Sequence, residues 1–267
     1  MIILGIGCGD NDTTTANATS GDMAEFTKDS SFKEAHEIPA TIEFKGKGSM
    51  LEFATPDGAK AQAHTIINDS TSKKYLFVIH EWYGLNNHIK QEAERLAENL
   101  PQVNVMALDI YDGKVADNRD DASKYMKSVT EDRAKAIING ALAVAGEDAE
   151  VATIGWCFGG GWSLKSSILA GEQGKACVIY YGMPVQSAEE LAPIQADMLG
   201  IFAKQEKWIN PEVVEKFANL AKATNKSLEV HSFDADHAFA NPSSPRYNEE
   251  AAQKANAIAL AFLKERI

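Results

Sequence analysis

The chain carries near its middle the stretch Val151-Ala152-Thr153-Ile154-Gly155-Trp156-Cys157-Phe158-Gly159-Gly160-Gly161. An apolar run rich in β-branched residues stops at Gly155, a thiol follows two residues later, and glycines follow the thiol. Residues 162–170 then carry apolar side chains at helical spacing. The pattern predicts a strand, a sharp turn and a helix, with Cys157 at the apex of the turn.

A turn of the form Gly-x-nucleophile-x-Gly holds its central residue in a strained backbone conformation, so the residues two before and two after it must lack side chains. Gly155 and Gly159 occupy these two positions. The turn also places the sulfur at the first turn of a helix, where free N–H groups favour a thiolate. Cys157 is therefore the candidate nucleophile. The alternative is an inert, small apolar cysteine in a glycine-rich turn.

Composition excludes several classes of function. The net charge of −12 over 267 residues argues against a nucleic-acid surface and against a basic membrane-binding patch. The chain has three cysteines, Cys8, Cys157 and Cys177, of which Cys177 lies in an apolar run typical of a buried strand. Three cysteines at these spacings predict neither a disulfide framework nor a zinc cluster.

The N-terminal region differs in composition from the rest of the chain. Residues 1–8 form a short apolar stub ending in Gly5-Ile6-Gly7-Cys8, which resembles the end of a bacterial lipoprotein signal although it lacks a basic start. Residues 9–35 are rich in Asp, Asn, Thr, Ala and Ser and are predicted to be a flexible polar tether. A ragged cytoplasmic N-terminus is the alternative. Residues 36–267 are predicted to form one catalytic domain.

Strand and helix patterns alternate along that domain. Residues 41–53 and 59–67 alternate in polarity around the turn signal Thr55-Pro56-Asp57-Gly58, which predicts an antiparallel pair. Further strands are predicted at 74–79, 103–110, 151–155, 176–181, 198–203 and 228–233, with helices at 87–100, 129–145, 162–170, 211–223 and 248–264. This alternation predicts an α/β fold with a mostly parallel central sheet and helices on both faces.

In such a fold the reactive groups lie beyond the carboxyl ends of strands, and the order along the chain is nucleophile, acid, histidine. His237 follows the last predicted strand and is the candidate base, whereas His231 lies within that strand. Glu206 follows the strand at 198–203 and is the candidate acid. Asp234 and Asp236 are its rivals, but they are so near His237 in the chain that a hydrogen bond to the ring is harder to form.

The segment His80-Glu81-Trp82-Tyr83-Gly84-Leu85-Asn86 follows the strand at 74–79. The backbone N–H of Trp82, together with that of Phe158, is expected to form an oxyanion hole. Glu81 would then direct a carboxylate towards the sulfur, where a negative charge raises the pKa of a thiol. A loop carboxylate in solvent is the alternative for Glu81.

Taken together, these pieces resemble the dienelactone hydrolase family of α/β hydrolases over roughly residues 40–265. The matching segments are His80–Asn86, Ala107-Leu108-Asp109-Ile110-Tyr111, Gly155-Trp156-Cys157-Phe158-Gly159-Gly160, Tyr180-Tyr181-Gly182 and Asp236-His237-Ala238-Phe239. The resemblance implies Cys157 as nucleophile, His237 as base, Glu206 in place of the family's usual aspartate, and Glu81 as the glutamate that exchanges partners with the thiol when substrate binds.

The resemblance also implies a substrate site near Tyr83, Lys114 and Asn241. Two arginines that hold the carboxylate of dienelactone in the family are absent, because Asp112-Gly113-Lys114 and Asn241 stand in their places. Lys114 offers a point charge rather than a bidentate fork. Dienelactone itself is therefore not the expected substrate.

These observations predict a hydrolase that cleaves a small-molecule ester or lactone through a thioacyl-enzyme, with no metal or organic cofactor and no nucleic-acid partner. The alternatives are a degenerate hydrolase fold of the cell envelope that binds a ligand without turnover, and a redox-sensing thiol. A lipid on Cys8 would place the protein at a bacterial cell envelope; without it the protein would be cytoplasmic.

Overall fold

A computed structural model describes Phe26, residues 30–34 and residues 36–267. Its eight strands form one sheet in the order β1-β2-β4-β3-β5-β6-β7-β8, in which β1, β2 and β4 pair antiparallel and all other neighbours pair parallel. The strands are β1 (Ser49–Ala54), β2 (Lys60–Ile66), β3 (Lys74–Ile79), β4 (Asn104–Leu108), β5 (Glu150–Trp156), β6 (Gly174–Tyr180), β7 (Asp197–Ala203) and β8 (Leu228–Phe233). The predicted α/β fold with a mostly parallel sheet is confirmed.

One short helix precedes the first strand, and the other helices lie between and after the strands. They are α1 (Ser30–Glu34), α2 (Asn87–Asn99), α3 (Arg119–Ser128), α4 (Glu131–Ala145), α5 (Phe158–Ala170), α6 (Ala188–Leu191), α7 (Pro211–Ala223) and α8 (Glu249–Arg266), and a short 3₁₀ helix covers Gly171–Gln173. No helix among the described residues is both long and apolar enough to cross a bilayer.

The central strands are buried on both faces, as their continuous apolar runs predict. Every residue of β4 is buried, and β5, β6 and β7 are buried except near their starts. Strands β3, β7 and β8 and helix α7 have the predicted bounds to within one residue. Apolar or alternating runs mark the strands, and the Asn210 cap with Pro211 at the first turn marks the helix.

Several predicted segments differ in their bounds from the structure; for example, the helix predicted at 162–170 begins at Phe158. The strand predicted over 41–53 begins only at Ser49, since residues 41–48 pair with no neighbouring strand. The helix predicted over 129–145 begins at Glu131, because the Thr130 side chain accepts from the N–H of Arg133 and caps it. A separate helix, α3, precedes it and ends at Ser128; its largely polar sequence gives no clear helical stripe.

Part of the predicted tether is folded against the domain. Residues 30–34 form α1, whose Phe32 is fully buried at 0% exposure among aromatic rings of the catalytic domain. Residues 30–34 are therefore helical and packed against the domain, whereas the sequence predicted a flexible tether over residues 9–35. The predicted signal-like stub at 1–8, Cys8 and residues 9–25 lie outside the described residues.

Candidate active site

The apex of the predicted turn is Cys157, between β5 and α5. Its backbone has φ +56° and ψ −122°, a combination that L-residues rarely adopt. Its N–H donates to the Tyr180 carbonyl at 3.0 Å, and its own carbonyl accepts from Gly160 at 2.9 Å. The thiol is 2% exposed. These bonds hold the strained residue above the sheet at the carboxyl edge.

The two glycines flanking Cys157 are required by close backbone contacts. A Cβ at Gly155 would lie 2.0 Å from the carbonyl oxygen of Gly159. A Cβ at Gly159 would lie 2.3 Å from the carbonyl oxygen of Ile79 and 2.5 Å from that of His80. Backbone atoms cannot yield at these distances, so the steric reason predicted for the glycines is confirmed.

Loops after β7 and β8 bring Glu206 and His237 together. Glu206 Oε1 lies 2.8 Å from His237 Nδ1, and the two residues are 4% and 1% exposed. The rival carboxylates are engaged elsewhere: Asp234 accepts from Gln205, and Asp236 accepts from the His237 backbone N–H. The structure therefore places Glu206, and not either aspartate, on the imidazole.

The Glu206 carboxylate makes the ring of His237 a stronger base than an isolated imidazole. Burial by itself lowers the pKa of the ring, but the Glu206 carboxylate and the Cys157 sulfur more than offset this, and the pKa lies well above its usual value. Because a carboxylate can only accept, Nδ1 carries the proton in the neutral ring. Nε2, which is buried and has no hydrogen-bond partner among the described residues, then faces the sulfur with its lone pair.

The Cys157 thiol is held in its neutral form. Burial raises the pKa of Cys157, while His237 and the N–H of Phe158 lower it and Glu81 raises it again, with a net upward shift. The N–H groups at the start of α5 therefore do not stabilise a thiolate strongly enough to overcome the burial of the sulfur. The sulfur of Cys157 is therefore a neutral thiol.

Glu81 lies beside this thiol but is bonded to another residue. Asn241 donates from Nδ2 to Glu81 Oε2, whereas Oε1 is buried without a hydrogen-bond partner in the described part of the chain. Burial raises the pKa of Glu81 to about 7, although His237 and Asn241 lower it. At neutral pH the carboxyl group is consequently about half protonated, which weakens its opposition to a thiolate.

His36 was not predicted from sequence, yet it contacts the thiol directly. Its Nε2 lies 3.6 Å from Cys157 Sγ, and its Nδ1 donates to the Phe32 carbonyl at 2.7 Å. Burial, with the neighbouring His237, lowers the pKa of His36 to about 3, so the ring is neutral. The only local signal was the pair of phenylalanines, Phe26 and Phe32, within a polar segment.

Phe26, residues 30–34 and residues 36–40 form a segment that we call the N-terminal strap. Its Phe32 stacks on Trp82 with ring centroids 5.2 Å apart and meets Trp208 edge-on at 5.0 Å. The His36 carbonyl accepts from Tyr83 Oη at 3.0 Å and from Arg119 Nε at 2.8 Å. The strap is thus fastened directly over the thiol.

The strap leaves little room at the sulfur. The cavity there has a volume of about 40 Å³ and is lined by residues that include His36, Trp82, Cys157 and His237. A groove of about 670 Å³ lies next to it. The exposed surface of the groove is mainly apolar, although Glu92, Arg95 and Glu98 also line it. The groove shares four residues with the cavity, namely Glu81, His88, Asn241 and Ser243.

Of the remaining predicted site residues, Trp82, Tyr83 and Asn241 line the cavity, whereas Lys114 does not. Trp82 follows Glu81 in a turn closed by the Gly84 N–H and the Glu81 carbonyl at 3.1 Å, and His80 Nδ1 donates to the same carbonyl at 2.8 Å. Tyr83 and Asn241 line the cavity, but Tyr83 is engaged by the strap. Lys114 lines neither the cavity nor the groove, and its ammonium group lies 5.7 Å from the Tyr125 ring centroid instead.

Comparison with known proteins agrees with this architecture. A relative named protein usf, from Aquifex pyrophilus, is 29% identical over 231 residues, covering 82% of this chain and 98% of the relative. A carboxymethylenebutenolidase from Pseudomonas sp. strain P51 is 32% identical over 118 residues, which cover 44% of this chain and 48% of that enzyme.

Solved structures show the same fold. A dienelactone hydrolase-like promiscuous phosphotriesterase from metagenomic libraries superposes with a TM-score of 0.71 at 21% identity, covering 83% of this chain and 99% of that one. A dienelactone hydrolase from Anabaena variabilis superposes with a TM-score of 0.59 at 13% identity over 83% of this chain and 98% of that chain. The sequence profile of the dienelactone hydrolase family matches residues 62–267. This chain is therefore a hydrolase that belongs to the dienelactone hydrolase family.

Proposed function

We propose that this hydrolase cleaves a small-molecule ester or lactone through a thioacyl-enzyme on Cys157, with His237 as base and Glu206 as the residue that orients it. The observation that carries the proposal is the buried Glu206–His237 pair at 2.8 Å, whose free Nε2 faces a cysteine at a strained turn. Membership of the family supports ester or lactone hydrolysis independently.

In the first step, His237 Nε2 takes the thiol proton and Sγ attacks the carbonyl carbon, which gives a tetrahedral oxyanion. The N–H of Phe158, which lies at the start of α5 against the sulfur, and the N–H of Trp82 donate to this oxyanion. Glu206 accepts from Nδ1 throughout and stabilises the imidazolium ion. The neighbouring carboxylate raises the pKa of His237 and so assists the transfer of the thiol proton to Nε2.

In the second step the oxyanion collapses, the bond to the leaving oxygen breaks, and His237 returns the proton to that oxygen. A thioester remains on Cys157. Water then attacks the thioester, with His237 taking a proton from the water and passing it to the sulfur as the thiolate departs. Every proton removed is returned, so the enzyme ends in its starting state.

The strap must move for this reaction to take place on any substrate larger than a few atoms. In the closed state the thiol is 3.6 Å from His36 Nε2, and the cavity of about 40 Å³ is too small for an ester of ordinary size. The adjoining groove of about 670 Å³ is within the range of volumes that small-molecule sites have. We infer that the groove receives the apolar part of the substrate once the strap opens.

The substrate class follows from the chemistry of the sulfur. A thiolate leaves a tetrahedral intermediate more readily than an alkoxide does, so an alkyl ester mostly returns to the starting state. Enolates and phenolates leave readily enough to compete. We therefore expect the substrates to be enol esters, aryl esters or lactones. Because Lys114 lies away from both the cavity and the groove, we expect that binding does not require a carboxylate on the substrate.

The test is hydrolysis of phenyl acetate by Cys157→Ala beside a matched control, Cys177→Ala, since Cys177 is also a free buried cysteine. The first variant is expected to lose at least about a thousandfold in kcat/KM and the second to remain within a few-fold of the unmodified protein. Retention of turnover by Cys157→Ala would contradict the mechanism. Saturable ester binding without turnover in the unmodified protein would instead favour a ligand-binding protein.

A further inference from the structure

Three potential metal ligands meet where the strap contacts the turn after β5. A ring nitrogen of His36, the sulfur of Cys157 and a ring nitrogen of His237 all lie within 4.8 Å of one another. The three residues are 8%, 2% and 1% exposed. His36 and Cys157 are 121 residues apart in the chain, so no sequence spacing indicates this cluster.

The two imidazoles are each oriented by a second hydrogen bond. His36 Nδ1 donates to the Phe32 carbonyl at 2.7 Å, and His237 Nδ1 donates to Glu206 at 2.8 Å. Both Nε2 lone pairs therefore point into the space beside the sulfur. Metal-binding histidines have this arrangement, with the outer nitrogen bonded to a carbonyl or a carboxylate. His237 Nε2 is buried and unpartnered within the described residues.

We propose that His36, Cys157 and His237 bind a zinc-class divalent ion through one sulfur and two imidazole nitrogens. Around a tetrahedral Zn²⁺, with Zn–S about 2.3 Å and Zn–N about 2.0–2.1 Å, a nitrogen and a sulfur ligand lie about 3.6 Å apart. His36 Nε2 and Cys157 Sγ lie 3.6 Å apart. Thiolate and imidazole ligands favour zinc over magnesium or calcium, which prefer oxygen ligands.

Binding exchanges a proton for the ion. The S–H bond of Cys157 breaks, its electron pair forms the bond to the metal, and the proton passes to the solvent. The cavity of about 40 Å³ beside the sulfur has room for a water molecule as fourth ligand. The bound ion occupies both the sulfur and the nitrogen that hydrolysis requires, and through His36 it fastens the strap. The bound state is therefore catalytically blocked.

The test is a titration of the metal-free full chain with Zn²⁺ in competition with a chromophoric chelator, repeated with Co²⁺ to observe thiolate-to-metal charge transfer. One equivalent should bind. His36→Ala should weaken binding by about tenfold or more, and Cys157→Ser should abolish the charge-transfer band. His231→Ala is the matched control, since His231 lies on β8 bonded to Glu229, and should bind as the unmodified chain does.

Equal zinc affinity for His36→Ala and the unmodified chain would overturn the proposal, as would the absence of a stoichiometric site. His36→Gln repeats the comparison with a side chain of similar size, and circular dichroism of each variant checks that the domain is folded. The titration needs no substrate, so it remains decisive if the proposed hydrolysis fails. In the activity arm, Zn²⁺ should inhibit the unmodified chain at concentrations at least about tenfold lower than it inhibits His36→Ala.

Discussion

The strap over Cys157 makes Phe32→Ala an informative change. Phe32 is 0% exposed and has ring contacts with Trp82, Trp208 and His36 at centroid distances of 5.2, 5.0 and 4.4 Å. Truncating a buried phenylalanine costs about 3–5 kcal/mol. Because the contacts with Trp82 and Trp208 join the strap to the domain, their loss destabilises the closed strap, while the sheet keeps its own core.

A loss of about 3 kcal/mol shifts the opening equilibrium by roughly a hundredfold, since about 1.4 kcal/mol corresponds to a factor of ten. The open state is the same in both proteins, so the rate of Cys157 alkylation at low iodoacetamide reports the open population. We expect Phe32→Ala to raise that rate by roughly a hundredfold. The domain's melting temperature should change little.

The assay follows the peptide that contains Cys157 by mass spectrometry. Cys177 is an internal control, because it lies within strand β6, is 0% exposed and should remain unmodified in both proteins. Ile38→Ala is the matched control variant on the strap, since Ile38 is 52% exposed. Alkylation rates that agree within twofold for Phe32→Ala and the unmodified chain would refute the reasoning that the strap governs access.

The site gives three further predictions, on Glu206, on Glu81 and on the leaving group of the substrate, and the N-terminal sequence gives a fourth. Glu206→Gln should lower kcat by about a thousandfold or more, because the imidazolium ion loses its carboxylate, whereas Asp234→Asn should have little effect; the reverse order in steady-state assays would show the acid to be misassigned. Glu81→Gln should lower the pH at which Cys157 ionises. The pKa of Glu81 is raised to about 7, so above that pH its negative charge opposes the thiolate, and glutamine removes this charge. An unchanged or raised midpoint in the pH profile of alkylation would contradict this. Phenyl esters should exceed matched ethyl esters in kcat/KM, and equal values would remove the leaving-group argument. If residues 1–8 end a lipoprotein signal, Cys8 of a longer native product should incorporate labelled fatty acid in a bacterial host; an unlabelled cytoplasmic product would argue against export to the cell envelope.

Much of the fold could be predicted because its signals are local. Most of the parallel strands are short apolar runs, and the turn at Cys157 needs glycines two residues away on either side. Since the carboxyl ends of parallel strands share one edge of the sheet, the position of Glu206 after β7 and of His237 after β8 was enough to predict that they meet.

The strap could not be predicted in the same way. Its contacts join Phe32 and His36 to aromatic residues far along the chain, and the segment's own composition is that of a solvated tether. Helix α3 was missed because few of its residues are apolar. The direction of Lys114 away from the cavity depends on a turn at Asp112 and Gly113, both of which have positive φ, and no periodicity shows this.

The central claim is that hydrolysis passes through an acyl group on Cys157. The most direct measurement is a rapid acid quench of the protein within its first turnover of a phenyl ester, followed by peptide mass spectrometry. The proposed mechanism predicts one acyl group on the Cys157 peptide, none on the Cys177 peptide, and none in Cys157→Ala. Turnover with no acyl group on Cys157, or with the acyl group on another residue, would contradict it.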